Sequence, residues 1–312
     1  MFIVLALAAG TAWGCGSGEQ DAPPAAFELQ EVASTMLPDS FEVKGAALSR
    51  DGRVVVWSGN QQHLLVDGGS GVSVFPAGIP LSPLAVGFAA SDSLLEVVDA
   101  ERRSLLVLSW AGKVVAEHAL DLPWRVESAT RTESGWFLGG RDTAGDFTIV
   151  RWSPDGGRIS PVSRIHPHGR DRRTAVLLTA AGPDVTASEI GAPHRGRLIS
   201  AGQSGPDGDA QFAAPAFPKA RGRDGAFWIS LPIFSIDSGY VRSFSDLRSD
   251  NRLIALYDRR GRLTRVTQVA VPMAVVAANP ESRVLLFARR TDRIELVRYT
   301  WRWVGPNTAS DL

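Results

Sequence analysis

Three kinds of residue in this chain have types and spacings that bear on chemistry: five histidines, one cysteine, and one stretch that mixes aromatic and charged side chains. The histidines are His63, His118, His166, His168 and His194. His166-Pro167-His168 looks like a metal-ligating pair, but no third ligand stands at a regular offset from it. The surrounding residues 164–173 read as a solvated, Arg-rich connection, suited at most to an anionic partner. Cys15 is the only cysteine, so no intramolecular disulfide forms. The mixed stretch is residues 231–246, Leu-Pro-Ile-Phe-Ser-Ile-Asp-Ser-Gly-Tyr-Val-Arg-Ser-Phe-Ser-Asp. Phe, Tyr and Arg among small polar residues are the composition of recognition surfaces, which makes Phe234, Asp237, Tyr240 and Arg242 the candidate ligand contacts. No nucleophile elbow, phosphate loop or dinucleotide fingerprint occurs, so no catalytic residue is assigned and no metal ligand is named. Thirty-three basic residues balance thirty-three acidic ones, which leaves no electrostatic footprint for nucleic acid.

The elements that must position these residues are short and repeated. Leu253-Ile254-Ala255-Leu256-Tyr257-Asp258-Arg259-Arg260-Gly261-Arg262-Leu263 is an apolar strand, a turn ending on Gly, and the start of another strand. The shape recurs at residues 105–114 and 149–159, and in weaker form at 64–72. Asp or Ser followed by Gly supplies the positive-φ turn of a β-hairpin. A second hairpin type has its turn at 50–52, 91–93, 131–135, 182–184, 223–225 and 279–282, with β-rich runs on either side. These turns are about 40 to 57 residues apart, the span of a four-stranded propeller blade. Six turns predict six blades. Residues 197–200 and 211–213 are the expected outer strands of the weak fourth unit, and residues 231–251 read as an excursion from the fifth. The sixth unit supplies only three strands. Phe27-Glu28-Leu29-Gln30-Glu31-Val32 is left over at the other end, and pairing it onto the sixth unit closes the ring and removes exposed edges. Trp57, Trp110, Trp136, Trp152, Trp228 and Trp301 stand at strand ends or beside turns and are expected to pack between blades. The fold class is therefore all-β: a six-bladed β-propeller of four-stranded antiparallel blades, closed by an N-terminal strand.

With the period, the inner Asp-Gly turns and the outer aromatic-Asp-x-x-Gly turn on the page, residues 27–304 resemble the six-bladed propellers of the NHL and related type. The N-terminus carries a second resemblance. Residues 1–12 are an apolar run too short to span a bilayer, followed by Ala12-Trp13-Gly14-Cys15, and together they resemble a bacterial lipoprotein signal in which Cys15 is lipidated. Residues 1–15 are thus expected to be an export signal, 16–26 a flexible tether and 305–312 a disordered tail. The resemblance implies an exported lipoprotein held to a membrane by its anchor, facing the periplasm or the cell surface. Gly16 in place of Asp after the lipidated Cys favours the outer membrane.

The expected function is a binding or interaction module at the cell envelope, monomeric, with an envelope protein or a small molecule as its partner and no cofactor. The alternative is a propeller hydrolase of the lactone or ester type. By resemblance to gluconolactonase-like and paraoxonase-like propellers, it would hold calcium in the central channel. That chemistry requires converging oxygen ligands, and the Asn residues, Asn60, Asn251, Asn279 and Asn307, do not fall at matching inner-strand positions. A third reading is a purely structural envelope protein.

Overall fold

The computed structural model describes residues 4–5 and residues 26–304, apart from short turns and the stretches 167–174, 190–195, 200–209, 216–227 and 247–251. Every regular element in it is a strand. The strands form six antiparallel blades, each with its first strand innermost. Blade one is Val43–Leu48, Val54–Ser58, Leu64–Asp67 and Val72–Val74; blade two is Pro83–Phe88, Leu94–Asp99, Ser104–Ser109 and Val114–Ala119. Blade three is Ser128–Thr132, Gly135–Arg141, Phe147–Ser153 and Arg158–Ile165; blade four is Val176–Ala181, Asp184–Glu189, Gly196–Ile199 and Ala210–Gln211. Blade five is Trp228–Ile236, Gly239–Asp246, Arg252–Asp258 and Leu263–Val269. Blade six takes Met273–Asn279, Val284–Arg290 and Ile294–Val304 from the C-terminal end, and Ala26–Met36 from the N-terminal end as its outer strand. The N-terminal strand pairs with Ile294–Val304 from Ala26↔Val304 to Met36↔Glu295, so it closes the ring as its leftover position in the sequence implies. The two-residue strand Val4–Leu5 lies on its outer edge.

The sequence pattern of each strand follows its depth. Second strands are covered by neighbouring blades on both faces, and in blade one this one reads as a continuous apolar run, Val54-Val55-Val56-Trp57, whereas those of blades four and five bury polar residues as well. Outer strands have one face in water and alternate, as in Leu263-Thr264-Arg265-Val266-Thr267-Gln268-Val269. The core accordingly lies between blades. Trp57 packs in the cluster between blades one and two, Trp136 and Trp152 between two and three, and Trp301 between five and six. The outer turns have one physical basis. In residues 109–113 the N–H of Ser109 donates to Lys113 O and that of Gly112 to Ser109 O, while the Ser109 hydroxyl accepts from Lys113 N. Gly112 has φ 77°, and a Cβ there would fall 1.7 Å from the Pro76 carbonyl oxygen. Asp258 does the same work for residues 258–262, its carboxylate accepting the N–H groups of Arg260 and Arg262.

One placement differs from the sequence reading. The fifth inner turn is at Asp237, between Trp228–Ile236 and Gly239–Asp246, and residues 223–225 lie outside the described residues. Residues 231–246 are therefore the inner hairpin of blade five rather than an excursion from it. Asp-Gly is the stronger local turn signal, but only the later register puts Ile233, Val241 and Phe244 into the interblade core.

Polar groups stitch every junction of the ring close to its axis. Arg50 N donates to Asp92 Oδ2 at 2.7 Å between blades one and two, and Arg131 Nε and Trp136 Nε1 donate to Glu96 Oε2 at 2.7 and 2.8 Å between two and three. Leu178 N donates to Ser128 Oγ at 2.9 Å between three and four, and Thr179 Oγ1 to Ile233 O at 2.5 Å between four and five. Val275 N donates to Ser243 Oγ at 3.3 Å between five and six, and Asn279 Nδ2 to Ser49 O at 3.0 Å between six and one. The closing junction has a second tie further out: buried Asp67 accepts from Arg298 Nη2 and from Thr35 Oγ1, each at 2.9 Å. Thr35 belongs to the N-terminal strand, so this carboxylate holds both halves of blade six to blade one.

Two outcomes are expected. Asp67→Ala strands a guanidinium and a hydroxyl and should cost about 2–4 kcal/mol in urea unfolding. Glu281→Ala removes a pair with Arg50 whose side chains are more than half exposed and should cost well under about 1 kcal/mol. A further outcome concerns the chain's three tyrosines. Burial pushes all three phenols up, with Asp184 adding to the effect on Tyr240, Arg242 opposing it on Tyr257, and Glu31 adding to it on Tyr299, which reaches about 12. Above about pH 10 the unfolded chain sheds phenolic protons that the folded chain keeps, so stability is full below that pH and falls as pH rises toward 12. Urea midpoints measured across this window should decline, and less steeply in Tyr299→Phe.

Candidate functional site

The six inner strands surround a central channel of about 1030 Å³. An innermost strand is an edge strand, and two features of the sequence follow from that. Pro83 and Pro232 lie within inner strands, where a missing N–H toward the axis breaks no ladder. Four inner strands also carry a bulge in their pairing to the second strand: between Val43 and Gly45, Pro83 and Ala85, Ser230 and Ile233, and Val275 and Ala277. The residues left out of the ladder are Lys44, Leu84, Leu231 with Pro232, and Val276, and all of them line the channel. In blades three and four the pairing is unbroken, and Ser128 and Leu177 line the same level. The result is a collar of aliphatic side chains broken by one hydroxyl and one ammonium.

Charge divides the channel lengthwise. The end formed by the turns between first and second strands is lined by Asp92, Glu133, Asp237 and Glu281 against Arg50. The end where the inner strands begin is lined by Lys44, Arg289 and Arg290 against Glu42 and Glu127. Some of these charges are committed to the wall: Arg289 Nη2 is 2.7 Å from Glu295 Oε2, and Arg141 Nε is 3.4 Å from Glu127 Oε2. Between the ends the lining includes Ala46, Val86, Ala129, Thr179 and Ala278.

The structure separates the four residues singled out in the sequence. Phe234 and Asp237 line the channel. Phe234 is largely buried against blade six, and Asp237 is anchored there too, accepting from Trp301 Nε1 at 3.1 Å with Arg283 Nε at 3.3 Å. Tyr240 and Arg242 point the other way, into the interface with blade four. Tyr240 meets Phe212 edge to face at 5.0 Å. Arg242 is 0% exposed, its guanidinium 4.8 Å above the Phe244 ring and against Gly196, where a Cβ would lie 3.0 Å from Nη1. Burial draws that guanidinium down to about 10, with Tyr257 opposing, so it stays charged at neutral pH. Two things decide the split. Phe234 and Asp237 belong to the inner strand and its turn, whereas Tyr240 and Arg242 belong to the second strand. Phe234 pairs with Val241, so its face looks to blade six while Tyr240, Arg242 and Phe244 look to blade four.

His166 Nδ1 lies 3.0 Å from Asp146 Oδ1 in an exposed cluster with Arg164, and His168, His194 and Cys15 lie outside the described residues. Among the described residues no three His, Cys, Asp or Glu side chains gather. Lys44, Leu84 and Val276 were not singled out from the sequence. A bulge leaves no mark in the apolar pattern, and only Pro83 and Pro232, prolines inside strand-like runs, signal one.

The chain matches no protein-family model and no curated protein. Its fold is shared with solved structures at low identity. A member of the DUF4221 family from Bacteroides vulgatus superposes with a TM-score of 0.61 at 9% identity, over 89% of this chain and 99% of that one. The WD40 repeats of RRP9 give 0.56 at 9% identity, over 90% and 99%. Virginiamycin B lyase from Staphylococcus aureus gives 0.51 at 13% identity, over 88% and 99%. At these identities the likeness is one of architecture, and with the strand order it makes this chain a six-bladed β-propeller.

Proposed function

We propose that this protein is an exported, lipid-anchored propeller that binds a ligand in its central channel at the cell envelope. The observation that carries the reading is the channel itself: an axial cavity, large enough for a small molecule, inside a ring stitched at every junction and so held in one shape. A preformed cavity loses little on binding, because the wall is already ordered. The export half of the reading rests on residues 1–15 and the single Cys15, through their resemblance to a lipoprotein signal. One of the structurally similar proteins is named a lyase. That similarity is one of fold alone, and folds of this kind carry both binding and catalysis.

Two measurements test this. An alkyne-bearing fatty acid fed to cells should label the wild-type protein, which should fractionate with membranes, and Cys15→Ala should lose both properties. Label persisting in Cys15→Ala, or an unlabelled wild type, removes the anchor from the proposal. The thermal midpoint with calcium and then with a chelator addresses the hydrolase alternative. A ligand that binds only the folded state adds about 2.7 kcal/mol at a hundredfold excess over Kd. The binding-module reading expects no calcium-dependent shift, and a clear rise would move the assignment to the metal-dependent hydrolase.

A further inference from the structure

Resting on the reading of the channel as the binding site, we propose that its ligand is an amphipathic anion: an aliphatic body carrying a single carboxylate, or a similar anionic group, at one end. The aliphatic part of the argument is the collar. The bulges in blades two, five and six take Leu84, Leu231 and Val276 out of their ladders and into the channel lining, where each is half-buried, Leu84 and Val276 resting in part on the interblade clusters behind them. Apolar side chains lining an open cavity gain by burial against an apolar guest, at about 25 cal/mol for each Å² removed from water.

The anionic part is Lys44. It is the bulged residue of blade one, at the same level as the aliphatic collar, and it is exposed. Neither the Lys44 ammonium nor the Arg290 guanidinium has a hydrogen-bonded or ion-paired partner among the described residues. Arg290 ends the second strand of blade six, opposite Ile294, whose carbonyl accepts from Leu37 N. That contact sets the Arg290 end of blade six beside the segment leading into Val43–Leu48, so both cations stand at one mouth. With Glu127 paired to Arg141 and Arg289 to Glu295, what remains there is Glu42 against Lys44 and Arg290.

The opposite mouth gives the orientation. Glu281 is paired with Arg50 and Asp237 with Arg283, which leaves Asp92 and Glu133 to repel an anion there, so the head group belongs at the Lys44 end and the body extends along the axis. An inner strand of six residues such as Val43–Leu48 is about 20 Å long, room for a medium-length alkyl chain.

The test uses the full chain and three monomeric probes of equal chain length, dodecanoate, dodecyltrimethylammonium and dodecanol, with binding followed by calorimetry below their micelle concentrations. Dodecanoate should bind most tightly. Lys44→Met should weaken it about tenfold and Arg290→Met by a few-fold, while dodecanol affinity stays level; both side chains are exposed, so the thermal midpoint should not move. Ala46→Trp, which sets an indole into the channel lining midway along the axis, should remove binding of every probe. If dodecyltrimethylammonium binds as well as dodecanoate, or if Lys44→Met leaves dodecanoate affinity unchanged, the anionic preference is overturned. The channel reading then survives only if Ala46→Trp still abolishes binding. If no probe binds, or if Ala46→Trp, folded by its circular dichroism, binds as the wild type does, the channel reading itself fails along with the proposal.

Discussion

The innermost strand of each blade has a free edge, and much of the molecule answers that one fact. Six sheets arranged about an axis present six rows of N–H and C=O groups with no seventh sheet to pair them, and unpaired backbone groups in a confined space are costly. Next to the axis, each blade reaches its neighbour through a polar contact, and in most cases a side chain meets the neighbour's main chain. Ser128, Thr179, Ser243 and Asn279 are the clearest cases. Each contact contributes only about 1 kcal/mol net, yet together they fix the spacing of the ring. The same free edge tolerates Pro83 and Pro232 and accepts bulges, since an inner strand pairs on one side only.

Closure has a different physical character. The blade six to blade one junction joins the two ends of the chain, and it carries the buried Asp67 with Arg298 and Thr35 in addition to the Asn279 contact. A buried carboxylate with two donors is a demanding arrangement that rejects a shifted register of the N-terminal strand. Glu31 adds to this from the other face of the same strand, where it accepts from the Tyr299 hydroxyl at 3.2 Å. Order in the channel wall therefore depends on the pairing of Ala26–Met36 with Ile294–Val304.

The two requirements together give the channel its chemistry. Bulges expel residues from ladders whose faces are already filled, and what they expel becomes lining. In three blades that residue is aliphatic and in one it is Lys44. The turns at the far end carry Asp and Glu, because those residues accept the spare N–H groups of tight turns or anchor neighbouring blades, as Asp92 and Asp237 do. A channel acidic at one mouth and basic at the other follows from these local causes, with an apolar waist between them.

The sequence by itself determined the architecture. Asp/Ser-x-x-Gly turns at blade intervals, apolar second strands in the clearer blades, alternating outer strands and a leftover strand at the N-terminus are all local signals, and one arrangement satisfies them. Even the weak fourth blade was legible, its outer strands falling at Gly196–Ile199 and Ala210–Gln211. The tertiary structure decided the site. Phe234, Asp237, Tyr240 and Arg242 sit close together in sequence, but the hairpin puts Phe234 and Asp237 on the inner strand and its turn, beside the channel, and Tyr240 and Arg242 on the second strand, facing blade four. Lys44, Leu84 and Val276 are far apart in sequence and share no motif. They meet because ring closure brings six strand edges around one axis, and a bulge depends on the register between two strands, which no single stretch of sequence encodes.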